Sequence, residues 1–349
     1  MRAIDDLLKE AQEYGASDVH IGALRPPFFR IDGKLSPIGD TVISKEESDS
    51  MMKQLLSGSP QLSEKLEKDR QVDFSYAIEG GARFRVNIFY RLSELSAALR
   101  LVPSKIQTIE ELHLPPQILQ FAEYKQGFVL VVGPAGHGKS TTLASLIDHI
   151  NQHRKEHMIT IEDPIEYVFK DKESIIDQRE IGHDAPSFAE AIRVTLRQDP
   201  NVIMIGEIRD QESMQTALTV AETGHLVLAT LHTNDAAQTV ERIIDTFPPE
   251  QQQQVKSQLA STLSGVVSQR LLPWTSGGRI PAVEIMVANT AIKNVIREGT
   301  THQIPGIIQT NADIGMQTMD ASLQALVDAG AVALEDARAY FSSARRTFR

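Results

Sequence analysis

Gly133, Pro134, Ala135, Gly136, His137, Gly138, Lys139 and Ser140 are of a kind and spacing that could hold a chain of phosphates. They fit G-x-x-x-x-G-K-[ST], follow an apolar run at 128–132, and lead into a helical pattern from Thr141. Glycines let backbone N–H groups crowd around an anion, and a helix N-terminus adds partial positive charge. Lys139 is spaced to reach β- and γ-phosphates, and Ser140 to ligate the accompanying Mg2+. ATP with Mg2+ is therefore the expected ligand pair. A mere glycine-rich turn with a surface lysine leaves the preceding strand and following helix unexplained.

Three further groups supply what phosphoryl transfer needs. Residues 202–205 form an apolar run, and Glu207 follows it, which delivers an acid beside Mg2+ at a strand tip. Residues 158–161 lead into Glu162, Asp163 and Glu166, with Pro164 forcing the chain out of the strand. A carboxylate there could orient or deprotonate the attacking water; a solvated acidic turn is the plainer reading of the same residues. His225 begins the next apolar run and His232 ends it, where a ring could sense a phosphate or serve only packing. A cation is also needed, and spacing alone does not choose among Arg85, Arg100, Arg193, Arg197 and Arg209.

These residues need elements to hold them. From Phe121, short apolar runs at 128–132, 158–161, 202–205 and 226–231 alternate with helical patterns such as Met214, Ala217, Leu218, Ala221. That alternation predicts a mainly parallel sheet covered on both faces, with ligands beyond the carboxyl ends of its strands. About the last hundred residues read as mainly helical. Before residue 113 the pattern is α+β. Ile4, Leu7, Leu8 and Ala11 predict an opening helix, Phe28–Ile31 a strand, Asp32-Gly33 a hairpin turn, and Phe84, Val86 and Ile88 a half-exposed strand. The expected division is 1–112, a linker at 113–120, and 121–349.

The bulk properties narrow the class. With 349 residues, 41% of them hydrophobic and 23% charged, the chain suits two soluble domains. Its net charge of −11 gives no general affinity for nucleic acid, so no stable nucleic-acid binding is expected. Absence of cysteine excludes disulfides and Cys-ligated zinc. Residues 1–10 carry three acids and no long apolar run, unlike a signal peptide. No stretch approaches the roughly 20 apolar residues that cross a bilayer. The expectation is a cytoplasmic protein that reaches the inner membrane only through partners.

Taken in order, the four phosphate-site segments resemble the secretion ATPase superfamily, whose acidic turn and histidine segment are its Asp and His boxes. The likeness spans nearly the whole chain. Residues 15–20 and 30–33 look like the superfamily's PAS-like N-terminal domain, and 291–298 (AIKNVIRE) and 315–320 look like its pilus retraction branch. The resemblance implies an α/β fold: a RecA-like P-loop domain preceded by a smaller α+β PAS-like domain, assembled as a homo-hexamer. It implies Lys139 and Ser140 on phosphate and Mg2+, Glu166 as catalytic base, Glu207 as the acid on Mg2+ directly or through water, and His225 and His232 as the His-box residues. It places Arg85 and Arg100 at positions that face a neighbour's nucleotide. It implies retraction of type IV pili and twitching motility, with an inner-membrane platform protein as partner and pilin reached indirectly. Two departures stand out: His137 replaces a small residue, and 91–98 lacks a glycine often found there.

Other readings fit less well. Extension and secretion motors usually carry a tetracysteine zinc site and a long N-terminal extension. An accessory retraction motor fits 291–298 less well. A non-hydrolysing ring scaffold has no need of Lys139, Glu166 and Glu207 together, and a nucleic-acid translocase is at odds with the charge.

Overall fold

The computed structural model describes residues 3–31, 33–57, 59–78, 82–103 and 105–342. The chain divides into two compact units, Met1–Lys105 with Pro164–Val168, and Ile106–Asp163 with Phe169–Arg349.

The first unit runs α1 (Ile4–Glu13), β1 (Asp18–Gly22), β2 (Phe28–Ile31), β3 (Lys34–Pro37), α2 (Lys45–Leu56), α3 (Pro60–Asp69), β4 (Gln71–Ala77), β5 (Arg83–Arg91) and β6 (Glu94–Val102). Its six strands form an antiparallel sheet in the order β3-β2-β1-β6-β5-β4. The twofold period of β5 sends Phe84, Val86 and Ile88 into the core, where they meet Leu7, Leu8 and Met52. Each such side chain, taken fully from water, contributes about 1.5–3 kcal/mol. The expected Asp32-Gly33 turn falls partly outside the described residues at Asp32; Gly33 has φ 78, as such a turn requires.

The second unit runs β7 (Gly127–Val132), α4 (Lys139–His153), β8 (His157–Glu162), β9 (Ile175–Glu180), α5 (Phe188–Thr195), β10 (Val202–Ile205), α6 (Gln211–Glu222), β11 (Leu226–Leu231), α7 (Ala236–Asp245), α8 (Pro249–Thr262), β12 (Leu263–Pro273) and β13 (Arg279–Val287). It ends in α9 (Thr290–Glu298), α10 (Ile304–Thr310), α11 (Met319–Asp328) and α12 (Leu334–Arg338). Its seven-stranded sheet has the order β13-β12-β7-β11-β10-β8-β9, parallel throughout except for the β12–β13 pair. Every residue of β7, β10 and β11 is buried, as expected for central strands covered on both faces. The α/β expectation holds. The C-terminal region is mainly helical, as expected, but it also holds a long antiparallel hairpin, β12 and β13, that the sequence reading does not anticipate. Both strands are buried over most of their length, so neither shows the polar–apolar alternation that marks a strand in sequence.

Candidate phosphate site

Three parallel strands deliver the chemistry to one edge of the second unit. β7 ends at Val132 and releases the glycine-rich loop; β10 ends at Ile205, two residues before Glu207; β11 ends at Leu231, immediately before His232. Glycine is required at two points of the loop. Gly133 has φ 145, and a Cβ there would stand 2.4 Å from the Gln269 carbonyl oxygen. Gly138, with φ 82, is the N-cap of α4, and a Cβ there would lie 2.8 Å from the Gln269 amide nitrogen. The loop therefore lies directly against β12.

Lys139 is buried, and its ammonium donates to the carbonyls of Gly133 at 2.8 Å and Pro134 at 3.0 Å. It also lies 3.3 Å from His232 Nδ1. An ammonium only donates, so Nδ1 accepts, and the ring proton belongs on Nε2. That nitrogen is 2.7 Å from Glu207 Oε1, while Glu207 Oε2 accepts from Arg209 at 2.8 Å. Arg209 in turn lies 4.0 Å from Asp163. Lys139, His232, Glu207, Arg209 and Asp163 thus form one chain of polar contacts across four strand ends. Burial pushes the Glu207 carboxyl up. The Arg209 hydrogen bond outweighs this, together with the positive charge of His232 when protonated, of Arg209 and of Lys139, and holds it below the usual range.

The backbone around Glu207 is fixed by its neighbours. Gly206 N–H donates to Ile161 O at 2.8 Å, and Thr230 Oγ1 donates to Gly206 O at 2.6 Å. Asp210 caps α6 by accepting from Ser213 N–H at 2.8 Å, and Asp235 caps α7 by accepting from Gln238 N–H at 2.8 Å. Those caps set where the loops after Glu207 and His232 turn back.

Other expected residues fall elsewhere. His225 sits at the amino end of β11, its Nδ1 beside Val220 O and Thr223 Oγ1. A strand of that length separates it from His232 by about 20 Å. Within this unit it is His232, at the carboxyl end of β11, that lies beside Lys139. Glu162 is buried and accepts from Thr160 at 2.7 Å and Gln178 at 3.2 Å, which gives it a structural use. Glu166 is exposed and lies in the segment Pro164–Val168 that groups with the first unit. Arg85 and Arg100 are paired across β5 and β6 in that unit. The exposed Arg100 donates to Asp18 at 2.8 Å. Ser140 and Thr141 occupy the first turn of α4. No cluster of three or more His, Cys, Asp or Glu among the described residues could hold a metal alone. The Ser140 hydroxyl and the Glu207 carboxylate are donors of the kind that suit Mg2+, which takes most of its ligands from phosphate and water.

The sequence does not announce Gln269. Its side chain accepts from Thr142 Oγ1 at 2.7 Å and donates to His137 O at 2.8 Å. The His137 ring accepts Leu271 N–H at Nδ1, 2.9 Å away, and Arg279 donates to Gly136 O at 3.0 Å. Burial lowers the His137 pKa, reinforced by the charges of Arg270, Arg279 and Lys139, so the ring stays neutral and able to accept. His137 thus ties the loop to β12. Only the long-range pairing of β12 with β7 reveals these roles.

Comparison with known proteins agrees with this geometry. The family model for type II/IV secretion system proteins matches residues 1–276. The chain is 42% identical over 335 residues to the type IV pilus retraction ATPase PilT of Pseudomonas aeruginosa, covering 96% of this chain and 97% of that one. It is 45% identical over 313 residues to a twitching motility protein of Neisseria gonorrhoeae, covering 89% and 83%. A crystal structure of the pilus retraction motor PilT with bound ADP superposes with a TM-score of 0.89 at 47% identity, over 97% of this chain and 96% of that one. A loop shaped for phosphates at the end of a buried parallel strand, in a chain alike from end to end, places this protein in the type II/IV secretion system family, among the PilT retraction ATPases.

Proposed function

We propose that this chain hydrolyses ATP with Mg2+ in a homo-hexameric ring and uses the work to withdraw type IV pili, and so supports twitching motility. The observation that carries the reading is Lys139 held by two loop carbonyls and by His232, with His232 in turn on Glu207. Phosphate oxygens of an arriving nucleotide can replace those carbonyls as acceptors without moving the backbone. Gly133 to Thr141 cradle the phosphates; Ser140, with Glu207 directly or through water, holds Mg2+, which neutralises charge developing on the phosphates. His232 bridges Lys139 and Glu207, so its position responds to whether phosphate has taken Lys139. Glu166 serves as the base for the attacking water. Arg85 and Arg100 supply cations to a neighbouring subunit's site. The ring acts on an inner-membrane platform protein and, through it, on pilin. Contact with the membrane runs through that platform protein; among the described residues no helix is long and apolar enough to cross a membrane.

The test separates cradle from base. Lys139→Ala should reduce phosphate release to background and weaken ATP binding. Glu166→Gln should bind ATP within about threefold of the parent while losing turnover by roughly a hundredfold or more. Near-normal turnover in Lys139→Ala defeats the reading of the cradle. Equal loss of binding and turnover in Glu166→Gln makes that residue structural.

A further inference from the structure

The β5–β6 turn of the first unit lacks the glycine that its geometry favours. Leu92 and Ser93 take φ 51 and 66, both left-handed and strained for residues with side chains. That tight turn sets Arg91 opposite Glu94 at the end of the hairpin. β6 also pairs with β1, which places Ser96 beside Gly22, and Arg25 follows just beyond β1. Arg25, Arg91 and Ser96 are thereby gathered at one end of the sheet.

Their hydrogen bonding is incomplete. A Cβ on Gly22 would stand 2.8 Å from Ser96 Oγ and 3.2 Å from both Nε and Nη2 of Arg25. The absence of a side chain there lets the guanidinium settle over the Ser96 hydroxyl. Ser96 is wholly buried, and its Oγ has no hydrogen-bond partner. Arg25 Nε and Arg91 Nε are likewise shut off from solvent and unpartnered. Arg91 Nη2 donates to Ala23 O at 3.3 Å. Three buried polar atoms without partners in one small region are a cost that a folded chain normally avoids.

Charge points the same way. Burial lowers the Arg25 pKa and the charge of Arg91 adds to it, so the two half-buried cations stand close enough to repel. No carboxylate among the described residues offsets this at Arg25. Glu94 is engaged by Lys45, and Asp18 by Arg100 at 2.8 Å and Arg30 at 3.6 Å. A phosphate group has enough oxygens to accept from both guanidinium forks and from a hydroxyl.

We propose that Arg25, Arg91 and Ser96 form a second phosphate site, in the first unit, for a free phosphate ion or the phosphate of a small soluble ester. Arg25 and Arg91 donate to its oxygens, and a turn of the Arg25 side chain brings Ser96 Oγ into reach. Arg100 lies four residues along β6 from Ser96, about 13 Å away. The site is therefore separate from the cations assigned to a neighbour's nucleotide, and it does not depend on the cradle at Gly133 to Thr141.

The experiment uses the full chain carrying Lys139→Ala, which takes the cradle out of the measurement. Calorimetry at fixed ionic strength compares inorganic phosphate, glycerol phosphate and acetate. One phosphate per chain should bind, and the tighter of the two phosphate compounds identifies the source. Adding Arg25→Gln and Arg91→Gln together should weaken phosphate about tenfold or more, and Ser96→Ala about threefold. Arg91→Gln alone relieves the repulsion, so without phosphate it should melt no lower than its parent. A drop there would show Arg91 serving the fold instead, and would overturn the proposal. So would an absence of phosphate binding, or equal affinity with and without the two arginines. Acetate bound as tightly as phosphate overturns it as well, and assigns the pair to the carboxylate of a partner.

Discussion

At the scale of single residues, neutral groups matter as much as charged ones. His137 accepts a backbone N–H only while unprotonated, and His232 joins Lys139 to Glu207 through opposite ring nitrogens. A different buried group should govern the pH dependence of stability. Glu284 on β13 is almost wholly enclosed, and burial pushes its carboxyl up to about 7. Ala236 N–H donates to it at 2.9 Å and opposes that shift, whereas the nearby charges of Asp235 and Asp320 add to it. In the unfolded chain the same carboxyl titrates near 4.5. Between these values the folded protein keeps a proton that the unfolded chain has shed, so stability falls as pH rises through the window. The full cost above it is of order 3 kcal/mol. Glu284→Gln removes the titration, so its melting temperature relative to the parent should climb from pH 5 to pH 8. A difference that stays constant over that range would show that Glu284 does not titrate there.

Among the elements, α9 offers the clearest division between packing and partner contact. Ile292, Val295 and Ile296 are buried, as their spacing leads one to expect, while Asn294, Arg297 and Glu298 are exposed and Lys293 is half-buried. Arg297 donates to Asn294 at 2.9 Å, one turn back on the same helix. Replacing Lys293, Asn294 and Arg297 with alanine should keep the fold and at least half of the parent ATPase rate, yet abolish pilus withdrawal. Purified turnover and a twitching assay of the same variant provide the check: normal twitching removes the coupling role, and collapse of both readouts indicates misfolding. This helix was legible because its apolar positions repeat at helical spacing, and the loop from Gly133 to Ser140 because its glycines and lysine stand close together in the chain. The β12–β13 hairpin was not legible, because burial on both faces erases alternation. Gln269 could not be found either, since its role exists only once β12 pairs beside β7, more than a hundred residues away.

For the whole molecule, assembly should govern activity. Arg85 and Arg100 belong to the first unit, and Arg100 is held by Asp18. If they act on a neighbour, ATPase per subunit should rise with protein concentration across the dissociation range. Mixing inactive Arg100→Ala subunits with Lys139→Ala subunits should restore part of the activity at hybrid interfaces; flat specific activity and inert mixtures would count against it. The second unit contains its own transmission. Along β12, Gln269 grips the phosphate loop through Thr142 and His137, and Leu271 reaches Gly138. Arg270, between them, donates at 2.7 Å to Asn234, two residues beyond His232. A strand points alternate residues to opposite sides, so β12 works as a rocker arm with the phosphate loop on one side and the start of α7 on the other. β12 pairs with β7 only as far as Ser268, whereas Gln269, Arg270 and Leu271 pair with β13, so both loads hang on the part of β12 that runs past the end of β7. Nucleotide entry and the lean of α7 would therefore share one pivot, the stretch of β12 from Gln269 to Leu271.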